Sequence, residues 1–242
     1  MKNKTFCIGD IHGNYKGLLQ VLKKSNFNYD NDTLITLGDI ADGWSEVPQC
    51  VDELLNIKNR IDIGGNHDLW LYEWLKFGMM PNVWVNQGGR ATINAYLIDG
   101  KMADPKHLDF FAKQANYYID DKNRAFVHGG YTSHKGAGHE LSNSQYYWDR
   151  TLWDIALASK KNWDKGQPIE YLANRLTKHS EIFLGHTSTM SWKTDQPIKA
   201  CNVWNLDTGS GWAGRLTIMD IDTKEYWQSD LTKKLYPEEK GR

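Results

Sequence analysis

Asp10 and His12 stand two residues apart in GDIHG (residues 9–13). In an extended segment both side chains leave the same side of the chain, so together they can hold one cation. His128 in HGG (128–130), His186 in GH (185–186) and Asn66 in GNHD (65–68) offer imidazole and amide donors for a second cation. Asp39, in GDIAD (38–42), has two carboxylate oxygens and can bridge the pair. Carboxylate, imidazole and amide together suit manganese, iron or zinc better than calcium or an all-sulfur site. Two such cations, divalent or trivalent and about 3.5–4 Å apart, activate water at near-neutral pH and clamp both oxygens of a phosphoryl displacement. His67 is not needed as a ligand. Its expected role is general acid towards the leaving oxygen, with Asp42 holding its other ring nitrogen.

Each of these groups follows a short apolar run, and such runs must be the elements that position them. KTFCIG (4–9), TLITLG (33–38), RIDIGG (60–65), NRAFVHGG (123–130) and EIFLGH (181–186) read as strands. Residues 15–24, 48–58, 68–78 and 104–116 read as helices. Ligands gather beyond the carboxyl ends of strands in alternating sheets, so the five polar loops are expected to converge. NQGG (86–89) reads as a glycine-rich link, and VWNLDT, RLTIMDI and KEYWQS as a closing β-meander. The expected fold is α/β, with two mixed sheets and helices outside them. One domain over residues 1–242 is expected, with a polar, aromatic cap or insertion at 131–170. GSGWAG (209–214) matches a dinucleotide-binding glycine pattern, but no helix follows it, so no such site is expected.

The bulk properties narrow the classes further. The chain has 242 residues, 40% hydrophobic and 24% charged, with a formal net charge of −1. That is a globular composition, and it gives long nucleic acids and acidic membranes no bulk electrostatic purchase. The 3 cysteines are too few and too scattered for a disulfide framework or a zinc knuckle. No signal-peptide core and no run of roughly 20 apolar residues is present, so a cytoplasmic location is expected. The 11 tryptophans read mainly as packing. His107, His134, His139 and His179 lie outside the motifs and read as surface or cap residues.

As an ordered set, the five motifs resemble those of the calcineurin-like metallophosphoesterases, in particular the phosphoprotein phosphatase branch that also holds diadenosine tetraphosphatase. NQGGRATINAY (86–96) and NLDTGSGWAGRLTIMDID (205–222) resemble further segments of that branch, and the likeness spans roughly residues 4–226. The resemblance implies a four-layer sandwich of two mixed sheets flanked by helices. It implies Asp10, His12, Asp39, Asn66, His128 and His186 as metal ligands, manganese foremost and iron or zinc as alternatives, and His67 with Asp42 as the acid dyad.

One departure concerns the substrate. In most of the family an arginine that holds phosphate follows the second aspartate of the GDIAD-like motif; here Gly43 and Trp44 follow Asp42. Arg150, in YYWDRTLW (146–153), resembles a cap arginine that contacts phosphate; Arg90 and Asn66 are the other expected phosphate contacts. Trp44 is expected to pack beneath its loop rather than serve as a platform for a base. The leading expectation is a phosphomonoester hydrolase of the protein serine/threonine phosphatase type, using metal-activated hydroxide on a phosphoprotein or small phosphoester. The alternative is a nucleotide phosphohydrolase acting on a dinucleoside polyphosphate or a nucleic-acid phosphate end. A non-enzymatic phosphate-binding metal domain is a third reading, disfavoured by the Asp42–His67 pair, since a binder needs no proton donor.

Overall fold

The computed structural model describes residues 3–167 and 174–242. β1 (Thr5–Ile8), β2 (Thr33–Thr36) and β3 (Asn59–Asp62) are parallel neighbours, with Cys7 opposite Ile35 and Ile35 opposite Ile61. A second sheet forms from β4 (Tyr117–Ile119), β5 (Arg124–Val127), β6 (Glu181–Leu184), β7 (Ile198–Ala200) and β8 (Val203–Asn205) in the order β4-β5-β6-β8-β7. β9 (Thr217–Asp220) and β10 (Tyr226–Gln228) return to the first sheet, whose order is β10-β9-β1-β2-β3. Both sheets have five strands and both are mixed: β1–β2–β3 and β5–β6–β8 run parallel, with antiparallel strands outside them.

Alternation along the strands explains the layers. Cys7, Ile35 and Met219 point one way and join Phe126 and Phe183 of the second sheet in a common core. The Phe126 and Phe183 rings stack at 4.9 Å and 9° between the sheets. Phe6, Ile8, Leu34 and Ile218 point the other way, into a core shared with the helices α1 (Tyr15–Lys24), α2 (Val47–Leu55) and α3 (Asn66–Phe77). Three short helical segments follow in the chain: α4 (Asn82–Trp84), α5 (Arg90–Ile98) and α6 (Pro105–Ala112). On the far side, α7 (Ser144–Trp148) and α8 (Thr151–Trp163) cover Ala125, Val127, Ile182 and Leu184. A last short helix, α9 (Thr232–Leu235), packs on α1.

Several expectations need correction. VWN, LTIMD and YWQ do not make one meander: β8 pairs in parallel with β6, and the chain then crosses to the first sheet before forming β9 and β10. Apolar alternation sets a strand's faces and says nothing about its partner. NQGG is not a loose link either. It is a wide helical turn, Val85–Gly89, bent at Gly88 (φ 102°) between α4 and α5. Within 131–170, α8 lies on the second sheet as an outer-layer helix, while the chain just ahead of it, through Trp148 and Arg150, reaches the convergent loops. Residues 168–170 lie outside the described residues. His107 and His179 are buried and bonded, to Tyr96 and Asp52 and to Ala137 and Asn123, rather than lying on the surface.

Candidate metal centre

The loops after β1, β2, β3, β5 and β6 meet at one edge of the two sheets. The first two are zipped together by backbone bonds, with the Ile11 and His12 amides donating to the Asp39 carbonyl at 3.0 and 2.8 Å. Asp68 organises the second and third loops. Its carboxylate accepts the Ile40 and Ala41 amides at 2.8 and 2.9 Å and the Gly65 amide at 3.2 Å. The Gly65 bond reaches back from the first turn of α3, which explains why that helix starts at Asn66 rather than at the expected residue 68. A side chain on Gly65 would meet Asp39 Oδ1 at 2.1 Å, so the close passage of these loops requires glycine there.

The side chains converge on Asp39. Its Oδ1 accepts the His67 amide at 3.0 Å. Its Oδ2 lies 3.7 Å from His12 Nε2 and 3.4 Å from His128 Nε2, buried and without a hydrogen-bond partner. One ligand atom from each of Asp10, His12 and Asp39 falls within 4.8 Å of the others, and the same holds for Asp39, His128 and His186. Asn66 Oδ1 stands 3.2 Å from His128 Nε2. Backbone carbonyls fix the ring orientations: His12 Nδ1 faces Ala41 O at 3.0 Å and His128 Nδ1 faces Leu37 O at 2.8 Å, turning both Nε2 atoms inward. The His186 amide donates to Asp10 Oδ2 at 3.0 Å, tying the two sheets together at the site. His12, Asp39, Asp42 and His186 all have positive φ, at 54°, 50°, 71° and 66°. Such strain in non-glycine residues persists only where the surroundings over-determine it.

The electrostatics favour positive charge at the centre of the cluster. Burial pushes the Asp39 carboxyl up, but the facing His128 and His67 imidazoles outweigh it and hold the group well below the usual carboxylate range. Burial pulls His128 down, and the Asp39 carboxylate outweighs that, lifting the imidazole to about 9. Burial lowers His12 and His186 well below the usual histidine range, leaving neutral rings whose Nε2 atoms can donate lone pairs. Burial and neighbouring Asp207 raise Asp10. With its Nδ1–H given to Leu37, a neutral His128 would turn an acceptor towards the Asn66 and Asp39 oxygens; either a proton or a cation must lie between them. The orphaned Asp39 Oδ2 and His186 Nε2 fit the same demand. These residues therefore fit a pair of cations, a ligand arrangement typical of dinuclear metallophosphoesterases.

Beside the cluster, His67 Nδ1 lies 2.5 Å from Asp42 Oδ2, while its Nε2 is buried and unpartnered. The Asp42 carboxylate also accepts the Trp84 indole N–H at 2.8 Å and the Thr92 hydroxyl at 2.7 Å. Trp84 and Thr92 come from the helical segment around NQGG, and neither was foreseen as part of the site. Thr92 lies within the segment that carried the family likeness; Trp84 had no signal beyond its size. Trp70 stands edge-on to the His67 ring at 5.1 Å, and Trp148 follows it at 5.3 Å. Of the expected phosphate contacts, Arg150 lies against His186, donating to its carbonyl at 3.1 Å and to Thr187 Oγ1 at 2.7 Å. Arg90 instead lines a neighbouring cleft with Gly43 and Asn86. Trp44 is wholly buried, its indole donating to Ser210 O at 2.7 Å, which agrees with packing rather than a platform.

Comparison with known proteins accords with this geometry. Residues 4–199 match the model of the calcineurin-like phosphoesterase family. A symmetrical bis(5'-nucleosyl)-tetraphosphatase from Neisseria gonorrhoeae is 24% identical, over 92% of this chain and 94% of its own. Among solved structures, a candidate diadenosine tetraphosphatase superposes with a TM-score of 0.61 at 15% identity, covering 94% of this chain and 93% of that one. A cold-active protein-tyrosine phosphatase from a psychrophilic Shewanella superposes with a TM-score of 0.59 at 16% identity, covering 95% of this chain and 81% of the other. The two-sheet fold, the shared ligand cluster and the match over most of the sequence lead to one conclusion: this chain belongs to the calcineurin-like phosphoesterases and is a metal-dependent phosphoester hydrolase.

Proposed function

We propose that the protein hydrolyses a bis(5'-nucleosyl) tetraphosphate or a closely related nucleotide phosphoanhydride. This replaces the leading sequence expectation of a phosphoprotein substrate with its alternative. The observation that carries it is the rim of the site. Trp148, 44% exposed, stands edge-on to His186 at 6.1 Å. Trp212, 46% exposed, lines a cleft of about 460 Å³ together with His186 and Arg150. Accessible indoles beside a buried ligand cluster offer faces on which nucleobases stack, a contact that a phosphoserine side chain cannot use. The resemblance to tetraphosphatases along nearly the whole chain supports the same choice.

Asp10, His12 and Asp39 would hold one cation and Asp39, Asn66, His128 and His186 the other, with manganese the expected occupant and iron or zinc able to use the same donors. Such a pair supplies an activated water and neutralises phosphate charge. The protein's own groups then do the rest. His67 presents Nε2 as the proton donor to the leaving oxygen. Asp42, itself fixed by Trp84 and Thr92, holds the opposite ring nitrogen and so orients the imidazole. Arg150 stands at the mouth, where its guanidinium can meet a phosphate further along the chain. We further propose that residues 1–242 act as one domain, in which the first part of the 131–170 segment caps the site through Trp148 and Arg150.

Three results are expected. His128, at about 9, carries a proton at neutral pH in the metal-free protein, and a ligand must be neutral. Metal loading at pH 7 therefore releases about one proton from this ring, a release that fades as pH rises past 9; calorimetry in buffers of different ionisation enthalpy reads it. His67→Ala lowers kcat by about 10²–10⁴-fold on a phosphoserine peptide, and less on a dinucleotide whose phosphate leaving group needs less protonation. Bound metal, measured by mass spectrometry, stays at the wild-type level. For substrate choice, kcat/KM of the manganese-loaded protein is higher on diadenosine tetraphosphate than on a phosphoserine peptide; the reverse order rejects the nucleotide reading.

A further inference from the structure

The stretch after α9 folds back over the GDIADGW loop and reaches the site. Tyr236 stacks on buried Trp44 at 5.1 Å and 22°, and its hydroxyl meets the Glu46 carboxylate. Glu239 clamps Ser45, accepting its amide at 2.9 Å and its hydroxyl at 2.8 Å. The Arg242 amide donates to the Gly211 carbonyl at 2.9 Å. These contacts carry the Arg242 guanidinium to the ligand cluster, with Nη1 3.2 Å from His12 Nε2 and the guanidinium carbon 5.4 Å from the Trp212 ring centre. Arg242 also borders both clefts at the site, the one containing His186, Asp207 and Trp212 and the one containing Gly43 and Arg90.

The Asp207 carboxylate shares a cleft with this guanidinium and feels its charge, yet the close contact is a ring nitrogen rather than an anion. That nitrogen, His12 Nε2, is the atom a cation would claim. Once that lone pair is taken, the Nη1 end of the guanidinium faces positive charge at close range. Oxygens of a phosphate group between them would satisfy both sides at once, and the fork geometry of arginine matches two such oxygens. Gly43 carries no charge, and this backbone resists a side chain there. Its φ of 87° is strained for any side chain, and a Cβ there would lie 3.1 Å from the His12 carbonyl oxygen. Arg150 lies against His186 rather than His12, with Nη1 donating to His186 O and Thr187 Oγ1.

We propose that Arg242, delivered by the docking of residues 236–242 on Trp44 and Ser45, binds the phosphate of the substrate beside the His12 end of the ligand cluster. The guanidinium that the sequence lacks after Asp42 is thus supplied from some 200 residues away in the chain. Trp44, packed under the loop, is the seat on which the arm rests. The proposal rests on the phosphoester reading of the site and not on the choice of a nucleotide as substrate.

The test uses inorganic phosphate, so it does not depend on which ester is hydrolysed. Phosphate binding to the manganese-loaded full chain is measured by titration calorimetry for wild type and Arg242→Ala, with bound manganese determined on the same samples. The expected result is a Kd for phosphate raised about 10- to 100-fold with metal content unchanged, the size of a lost charged hydrogen bond. KM on any cleaved substrate should rise in step, and free guanidinium should restore part of the loss. An unchanged Kd overturns the proposal. So does a loss of bound manganese equal to the loss of phosphate affinity, because the side chain would then be supporting the ligand cluster rather than the anion.

Discussion

The buried carboxylate of Asp39 is the point on which the remaining structure depends. One of its oxygens is held by the His67 amide, while the other is left bare between His12 and His128. A bare, ionised oxygen in a dry site is costly unless positive charge faces it. In the metal-free protein, protonated His128 supplies that charge; in the loaded protein, cations would. Both sheets are committed to keeping this oxygen in place. The first contributes Asp10, His12 and Asp39 itself. The second contributes His128 and His186, and the His186 amide reaches across to Asp10. The layer of Cys7, Ile35, Phe126 and Phe183 between the sheets holds the two half-sites at one separation.

The GDIADGW turn does three jobs within seven residues. Asp39 sits at the centre of the ligand cluster. Asp42, three residues on, gathers the Trp84 indole, the Thr92 hydroxyl and the His67 ring, and so orients the proposed proton donor. Trp44 lies beneath the turn and forms, with Tyr236, the seat for the segment that carries Arg242. The positive φ at Asp39 and Asp42, strained for those residues and followed by an unstrained positive φ at Gly43, lets successive side chains leave the turn in these different directions. Asp68 and the backbone bonds to the first loop hold that strain in place.

Much of this was legible in the sequence because buried charge has few excuses. Aspartates, histidines and an asparagine at the ends of apolar strands cannot serve a core, and their donor types add up to a cation site. The strands that carry them were legible too, as short apolar runs or, in RIDIGG, as apolar and polar residues in alternation. What was not legible depends on partners distant in the chain. Nothing local in VWN reveals that it pairs with β6 and not with β9. Trp84 and Thr92 reach Asp42 only because a bent helical turn at Gly88 aims them there. Arg242 lies in a polar stretch without periodicity, so its approach to the site follows from tertiary docking alone.

The central claim is that Asp39 joins two cations into one site, and magnetic coupling tests it most directly. Manganese-loaded protein should give, by electron paramagnetic resonance at low temperature, the signal of an exchange-coupled pair, with two manganese ions bound per chain. Signals of isolated manganese at full loading, or a single ion bound per chain at saturation, would contradict the account. Asp39 would then be a ligand to one metal, and the convergence of the two half-sites on its free oxygen would need another explanation.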